Sequence, residues 1–164
     1  MTQTQISLTD TELLATAAQL SDAFSDRAIE FDQARRLSQD ASDAMARAGF
    51  YRLFVPEYLG GLEASPLVGA KIFERLAQGN AACGWVAFIA ATSGSTLGSI
   101  PQDTARAIFS HPNTMVAGVF APTGKATIKA GEVTAEGRWQ WGARTQNAAW
   151  ILGGRLVGTV GDKL

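Results

Sequence analysis

Trp139 and Trp141 stand two residues apart in Gly137-Arg138-Trp139-Gln140-Trp141, so on an extended backbone both indoles project from one face as a flat aromatic wall. Such a wall can hold a planar conjugated ligand, its polar edge meeting backbone amides at Thr123, Gly124 and Gly142. It can equally be sheet core, since burying a tryptophan contributes roughly 2 to 3 kcal/mol from area alone. Periodicity leaves both readings open. The remaining reactive side chains offer less. His111 is the only histidine, and no Asp or Ser is placed by motif to form a triad with it; its expected partner is the C-terminal dipole of the helix before it. Cys83 lies in an apolar stretch and reads as an inert buried thiol. One His and one Cys make no closed metal-ligand set, so no metal is expected. The glycines form no phosphate loop or dinucleotide fingerprint. Asp22, Asp26, Glu30 and Asp32 read as a solvated helix face.

The elements that must position the tryptophans are strands. Val116 to Phe120 is an apolar run stopped by Pro122 and Gly124, so the backbone is expected to turn out of the sheet there into a small open loop. Ala126 to Lys129 and Glu132 to Glu136 alternate around Ala130-Gly131, the pattern of a hairpin with a two-residue turn. Ala149 to Val157 reads as a further strand, and Gly158 to Leu164 adds none to cover it. An apolar edge left open calls for another chain or further sequence, so the chain reads as a fragment.

Upstream the pattern is helical. Thr9 with Glu12 forms a capping box for one long helix carrying Leu13, Ala17, Leu20, Phe24, Ala28 and Phe31. Ser38 is placed to cap a second helix that stops at Gly49. Phe50 to Val55 is an apolar connector, and Pro56 to Gly61 a turn. Ser65-Pro66 opens a third helix closing at Gly79, and Asn80 caps a fourth to about Thr92, apolar almost all round and expected at the buried centre. Pro101 starts a last short helix before His111-Pro112. The one boundary signal, Ser110 to Asn113, divides the chain into a helical region 1–112 and a strand region 113–164, an α+β class.

With 14 basic and 15 acidic side chains in 164 residues and no basic stripe, nothing points to nucleic acid. A hydrophobic content of 46% suffices for a core. The single cysteine excludes an internal disulfide framework and fits a reducing cytoplasm. Met1 to Ser7 lacks the basic start and apolar centre of a signal peptide, and no segment is expected to reach the about 18 apolar residues of a membrane span.

Three motifs then appear in a fixed order: Ala48-Gly49-Phe50-Tyr51-Arg52-Leu53-Phe54-Val55-Pro56-Glu57-Tyr58-Leu59-Gly60-Gly61, Cys83-Gly84-Trp85-Val86-Ala87, and Gly137-Arg138-Trp139. In that order the chain resembles the acyl-CoA dehydrogenase superfamily from about Thr9 to Gly154. The resemblance implies an α-helical N-terminal domain, a middle domain beginning near Thr114 as an antiparallel β-barrel-like sheet, and a C-terminal four-helix bundle that this sequence does not contain. It also implies a flavin, FAD or FMN, against the middle domain, with Gly118, Phe120, Ala121, Thr123, Trp141, Gly142 and Ala143 as its binding residues. Trp141 and Ala143 match the family's Trp-x-Thr, and Phe120 and Pro122 the outer positions of its Thr-Glu-Pro. Ala121 replaces the Glu and no Gly-Ser-Asp follows, so the pattern is more similar to the flavin-dependent monooxygenase branch.

That branch usually carries Ser or Thr where Ala143 stands. With no hydroxyl there, a donor to flavin N5 at this position must be the backbone N–H, a bond worth on the order of 1 kcal/mol. The resemblance further implies a dry substrate pocket walled by Trp85, Phe88, Thr92 and Ser93. It names no catalytic residue: the histidine that some members place near Ser93 is absent, and the dehydrogenase base lies in or near the missing bundle. The implied function is a two-component monooxygenase that hydroxylates an aromatic or similar apolar small molecule with O2 and reduced flavin from a separate flavin reductase. The alternatives are a dehydrogenase oxidising the Cα–Cβ bond of an acyl thioester with FAD, and an inactive interaction module. A homo-oligomer, tetramer or dimer, is implied for the complete protein.

Overall fold

The computed structural model describes residues 8–143 and 145–159; the expectation that residues 160–164 add no strand lies outside them. Helix α1 (Asp10–Ser25) starts on the expected box: Glu12 N–H donates to Thr9 Oγ1 at 3.3 Å, and Thr9 N–H donates to the Glu12 carboxylate at 2.8 Å. The single long helix expected here is instead two. Arg27 leaves helical geometry (φ −108°, ψ 11°), and α2 (Ala28–Ala34) begins after it. Its guanidinium ties the break together, donating to both carboxylate oxygens of Glu30 at 2.8 Å, to Asp40 at 2.6 Å and to Ser38 Oγ at 2.8 Å. These bonds hold the Asp40 carboxyl well below its ordinary range. They also change the role of Ser38. It occupies the cap position of α3 (Gln39–Arg47), but its side chain makes no capping bond. The apolar stripe survives the break, with Phe24 and Phe31 meeting edge to face at 6.0 Å.

Gly49 (φ 78°) ends α3 as expected, and the connector winds into a short 3-10 turn at Phe50–Arg52. Helix α4 (Pro66–Gly79) has Ser65 accepting from Val68 N–H at 3.3 Å, and α5 (Ala81–Ser95) has Asn80 accepting from Ala82 N–H at 2.9 Å. The two cross closely at Gly84, where a Cβ would stand 2.7 Å from both Ala77 Cβ and Phe73 O. Ser21 Oγ donates to Arg75 O at 2.7 Å and joins α1 to α4. Helix α6 (Gln102–Ile108) completes the helical part.

Helix α5 is less enclosed than its composition predicts: Trp85 is 55% and Phe88 39% exposed. With the 3-10 turn after it, Ala81–Ser99 forms a 19-residue helical stretch of mean hydropathy 1.2, long and apolar enough to cross a membrane by length and composition, contrary to the expectation from sequence. Half of that window is buried within the fold, on α4 and the first strand.

Strands β1 (Val116–Lys129), β2 (Glu132–Glu136) and β3 (Trp150–Thr159) form one mixed sheet in the order β2-β1-β3. β1 and β2 pair antiparallel through the expected turn, Ala130 and Gly131 both having positive φ (52° and 84°), as a type I′ hairpin requires. β3 runs parallel to β1. The short strand ending before Pro122 is not observed, because β1 continues through Pro122 and Gly124 as a single bulged strand.

Two packed clusters hold the helices and the sheet together. The larger gathers α1, α3, α4 and α5 around Phe50, Met45, Ile72 and Leu76, and Met115 joins it from the approach to β1. The smaller brings Val55, Leu97, Ile108 and Phe109 onto Val116, with Leu152 of β3 packed beside them. Arg52 spans this second junction. It is 6% exposed, with no carboxylate partner among the described residues. Its guanidinium donates to the carbonyls of Phe109 (3.1 Å) and His111 and stacks 4.9 Å from the Phe109 ring centroid. Burial lowers its pKa to about 10, which leaves it charged at neutral pH. His111 itself is exposed, and its Nδ1 accepts from Asn113 N–H at 3.3 Å.

Arg52→Leu removes the donors to two carbonyls that no other side chain reaches, with an expected loss of about 2 to 3 kcal/mol in chemical denaturation. An unchanged midpoint means the clamp contributes nothing.

Candidate functional site

The expected flavin-binding segment sits on a mismatch in the sheet. Val119 pairs with Gly153 and Gly124 with Arg155, so the four residues Phe120–Thr123 of β1 lie opposite the single residue Gly154 of β3. Pro122 falls inside this bulge, where its missing N–H costs no ladder bond. Gly154 makes room for it, since a Cβ there would be 2.2 Å from Phe120 O and 2.8 Å from Ala121 O. The surplus backbone pushes Phe120 (57% exposed), Ala121 and Thr123 to the surface. Thr123 Oγ1 donates to Arg138 O at 3.3 Å. Gly118 lies deeper in the ladder, with Leu152 packed where its Cβ would be.

The aromatic wall expected from Trp139 and Trp141 does not form. Residues 137–140 make no ladder, so the alternation that would align the two indoles is lost. Trp139 folds over the sheet instead. A Cβ at Gly124, Gly137 or Gly153 would come within 2.3, 3.0 or 2.8 Å of its ring carbons, and its Nε1–H donates to Gly154 O at 2.5 Å. Trp141 turns the other way, in left-handed backbone (φ 63°) and 93% exposed. Of the two readings of these tryptophans, packing against the sheet describes Trp139, which stays partly exposed, and an open platform describes Trp141.

Ala143 also differs from expectation. Its N–H donates to Trp141 O at 2.8 Å, so the backbone donor assigned to flavin N5 is already committed within the turn. Gly142 lies against β1, the place of its Cβ being 3.6 Å from Val119 Cγ2. The residues present thus fit the face of a flavin ring, with an indole and a phenyl side chain exposed next to bulged backbone. They do not fit the particular N5 contact.

Of the four expected substrate residues, one joins the flavin segment. Trp85 and Ala143 line the same cleft, about 360 Å³ in volume, between the end of α2, the start of α5 and Ala143, Gln146 and Asn147. Phe88 stacks on Trp85 (5.6 Å, 40°) and continues through Phe73 to Phe54 as a chain of edge contacts outside that cleft. Thr92 turns inward, donating to Phe88 O at 2.7 Å. Ser93 is fully buried, and its Oγ has no hydrogen-bond partner among the described residues. Asn147 Nδ2 donates to Gln39 Oε1 at 3.2 Å and fastens the cleft loop to α3. The sequence reading missed Arg35 and Arg36, which border the cleft. The available signal was a pair of adjacent arginines ending an amphipathic helix.

Three comparisons bear on this arrangement. The acyl-CoA dehydrogenase N-terminal domain matches residues 9–103. An indole-3-acetate monooxygenase from Pseudomonas putida is 36% identical over 148 residues, which cover 88% of this chain and 38% of the relative. The oxygenase subunit HsaA of a flavin-dependent monooxygenase from Rhodococcus jostii is 28% identical, covering 80% of this chain and 35% of the relative. The chain therefore spans a little over a third of the length of these relatives. Among solved structures, the HsaA monooxygenase of Mycobacterium tuberculosis superposes with a TM-score of 0.88 at 26% identity, covering 96% of this chain and 42% of that one.

Because Trp139 packs and Trp141 does not, their alanine variants should separate in urea denaturation. Trp139→Ala is expected to lose about 3 kcal/mol, and Trp141→Ala to stay within about 0.5 kcal/mol of the parent. Equal losses mean that the bulge does not rest on the Trp139 ring.

Proposed function

Because the chain belongs to the acyl-CoA dehydrogenase family through its N-terminal domain, we propose that it serves a two-component flavin-dependent monooxygenase that hydroxylates an aromatic small molecule. The supporting observation is the single cleft shared by Trp85 of α5 and Ala143 of the loop beside the bulge. It sets an aromatic wall next to the segment where the resemblance puts the flavin. The similar proteins are described as an indole-3-acetate monooxygenase and flavin-dependent monooxygenase oxygenase subunits, and a further one as an FADH2-dependent resorcinol hydroxylase oxygenase component.

Phe120 and Trp141 would hold the isoalloxazine by stacking, each offering an exposed ring beside an open backbone turn. A reduced flavin bound there, FAD or FMN, supplies the two electrons with which O2 places one oxygen atom on the ring carbon and releases the other as water. This chain's contribution is positioning. Trp85, with Phe88 stacked on it, offers an apolar wall to the substrate face, and the committed Ala143 N–H keeps the turn at residues 141–143 closed. A flavin reductase is the proposed partner, because similar proteins are described as the oxygenase subunit or oxygenase component of their systems.

The test uses the intact protein with free flavin, an NADH-dependent flavin reductase and O2. Hydroxylated product should depend on both reductase and O2, and Trp141→Ala should weaken flavin binding about tenfold, the scale of one lost aromatic stack. Oxidation of an acyl thioester without O2 or reductase would replace this reading with the dehydrogenase one. Failure to bind flavin in either redox state would remove both.

A further inference from the structure

The cleft shared by Trp85 and Ala143 has walls from two parts of the fold. Phe31, Trp85 and Val86 come from helices, and Ala143, Gln146 and Asn147 from the segment that leads into β3. The second wall is held by few bonds. Asn147 Nδ2 donates to Gln39 Oε1 at 3.2 Å in an exposed contact. Two residues on, Ala149 N–H donates to Met115 O at 3.0 Å, and the parallel ladder begins with Trp150 opposite Val116. The placement of this wall therefore follows that of Met115 and Val116, where the sheet starts.

Arg52 fixes that start, although it does not line the cleft. Its backbone belongs to the helical side, its N–H donating to Gly49 O at 2.9 Å and its carbonyl accepting from Leu62 N–H at 3.0 Å. Its Nη2 donates to Phe109 O at 3.1 Å and to His111 O, and its Nη1 reaches Gly60 O at 3.5 Å. His111 O also accepts from Thr114 N–H at 3.1 Å, so the guanidinium grips the carbonyl that closes the turn from which β1 departs. From the buried cation to the cleft wall the chain of contacts is short, running through His111 O, Thr114, Met115 O and Ala149 N–H to Asn147. We infer that Arg52 is a positioning residue for the ligand cleft, setting the wall of Gln146 and Asn147 against Trp85 without touching a ligand. The inference rests on the monooxygenase reading only for what the cleft binds. A lysine in its place keeps the charge but lacks the planar fork that serves both carbonyls at once.

Hydrogen exchange of the intact protein, read by mass spectrometry on the parent and on Arg52→Lys, tests the assignment without any ligand. Amides of residues 146–152 are expected to exchange about tenfold faster in the variant, the scale of one lost hydrogen bond from a charged donor, over and above any change in α1 and α4. The neutral aromatic 2-naphthol, titrated by calorimetry, should bind about fivefold weaker to Arg52→Lys, because part of its binding is then spent on setting the wall. Arg52→Met, which loses charge and fork together, should move both readings further in the same direction. An equal rise of exchange in every segment, or none at 146–152, overturns the inference. So does naphthol affinity that stays unchanged while 146–152 loosens, or failure of the parent to bind 2-naphthol, since there is then no ligand cleft to position. Flavin binding measured on the same samples separates the two proposals: its absence from the parent, with the exchange and naphthol results as expected, removes the monooxygenase reading and keeps the role of Arg52.

Discussion

The indole of Trp139 lies across Gly124 and Gly153 of the sheet and Gly137 beside it and donates its N–H to Gly154, and the candidate site depends on that contact. Any side chain at Gly124, Gly137 or Gly153 would occupy space that the ring fills. With the ring in place, four residues of β1 are held opposite one residue of β3, and the surplus has nowhere to go but outward. Phe120, Ala121 and Thr123 are exposed for this reason, not because they are polar. The same packing settles the direction of Trp141, since the chain leaves Trp139 in irregular backbone and reaches Trp141 with positive φ. A packed tryptophan and a displayed one, two residues apart, are thus parts of one arrangement.

A second constraint fixes the sheet against the helices. Arg52 is a cation held away from water, and that burial lowers its pKa to about 10, while carbonyl oxygens and a phenyl face are the partners that favour its charge. It persists because the end of α6 and the residues leading to β1 bring the carbonyls of Phe109 and His111 together there, and one planar fork can serve both. Val116 and Leu152 pack in the same place. The position of the bulge relative to α5, and hence the cleft between Trp85 and Ala143, follows from this junction.

The local grammar of the chain was legible wherever a single residue type decides the geometry. The Thr9 box, Ser65-Pro66, the Asn80 cap, Gly49 and the Ala130-Gly131 turn all behave as their chemistry requires. What could not be read were effects of partners distant in sequence. Ser38 has the right type for a cap, yet Arg27 takes its hydroxyl, and the same arginine breaks a stripe that was continuous in apolar period. Pro122 looks like a strand breaker until β3 supplies a bulge for it to occupy. The tryptophan spacing implied a common face only on the assumption of regular strand, which the glycine cradle cancels. In the site, residue types pointed to Trp85 and Ala143, and the fold put them in one cleft, whose border with Arg35 and Arg36 no local pattern could show.

The mismatch in the sheet has a consequence for how such a chain can change over generations. In a regular ladder, inserting or deleting one residue slides every following side chain to the opposite face. Where four residues already stand against one, a change of length is absorbed within the surplus, and the pairing on either side keeps its register. The segment beside the candidate site is therefore the part of β1 in which length and composition can drift while the hairpin and the parallel ladder stay intact. A scaffold with such a slack point can trial new ligand-facing surfaces without first having to survive a misfolded sheet.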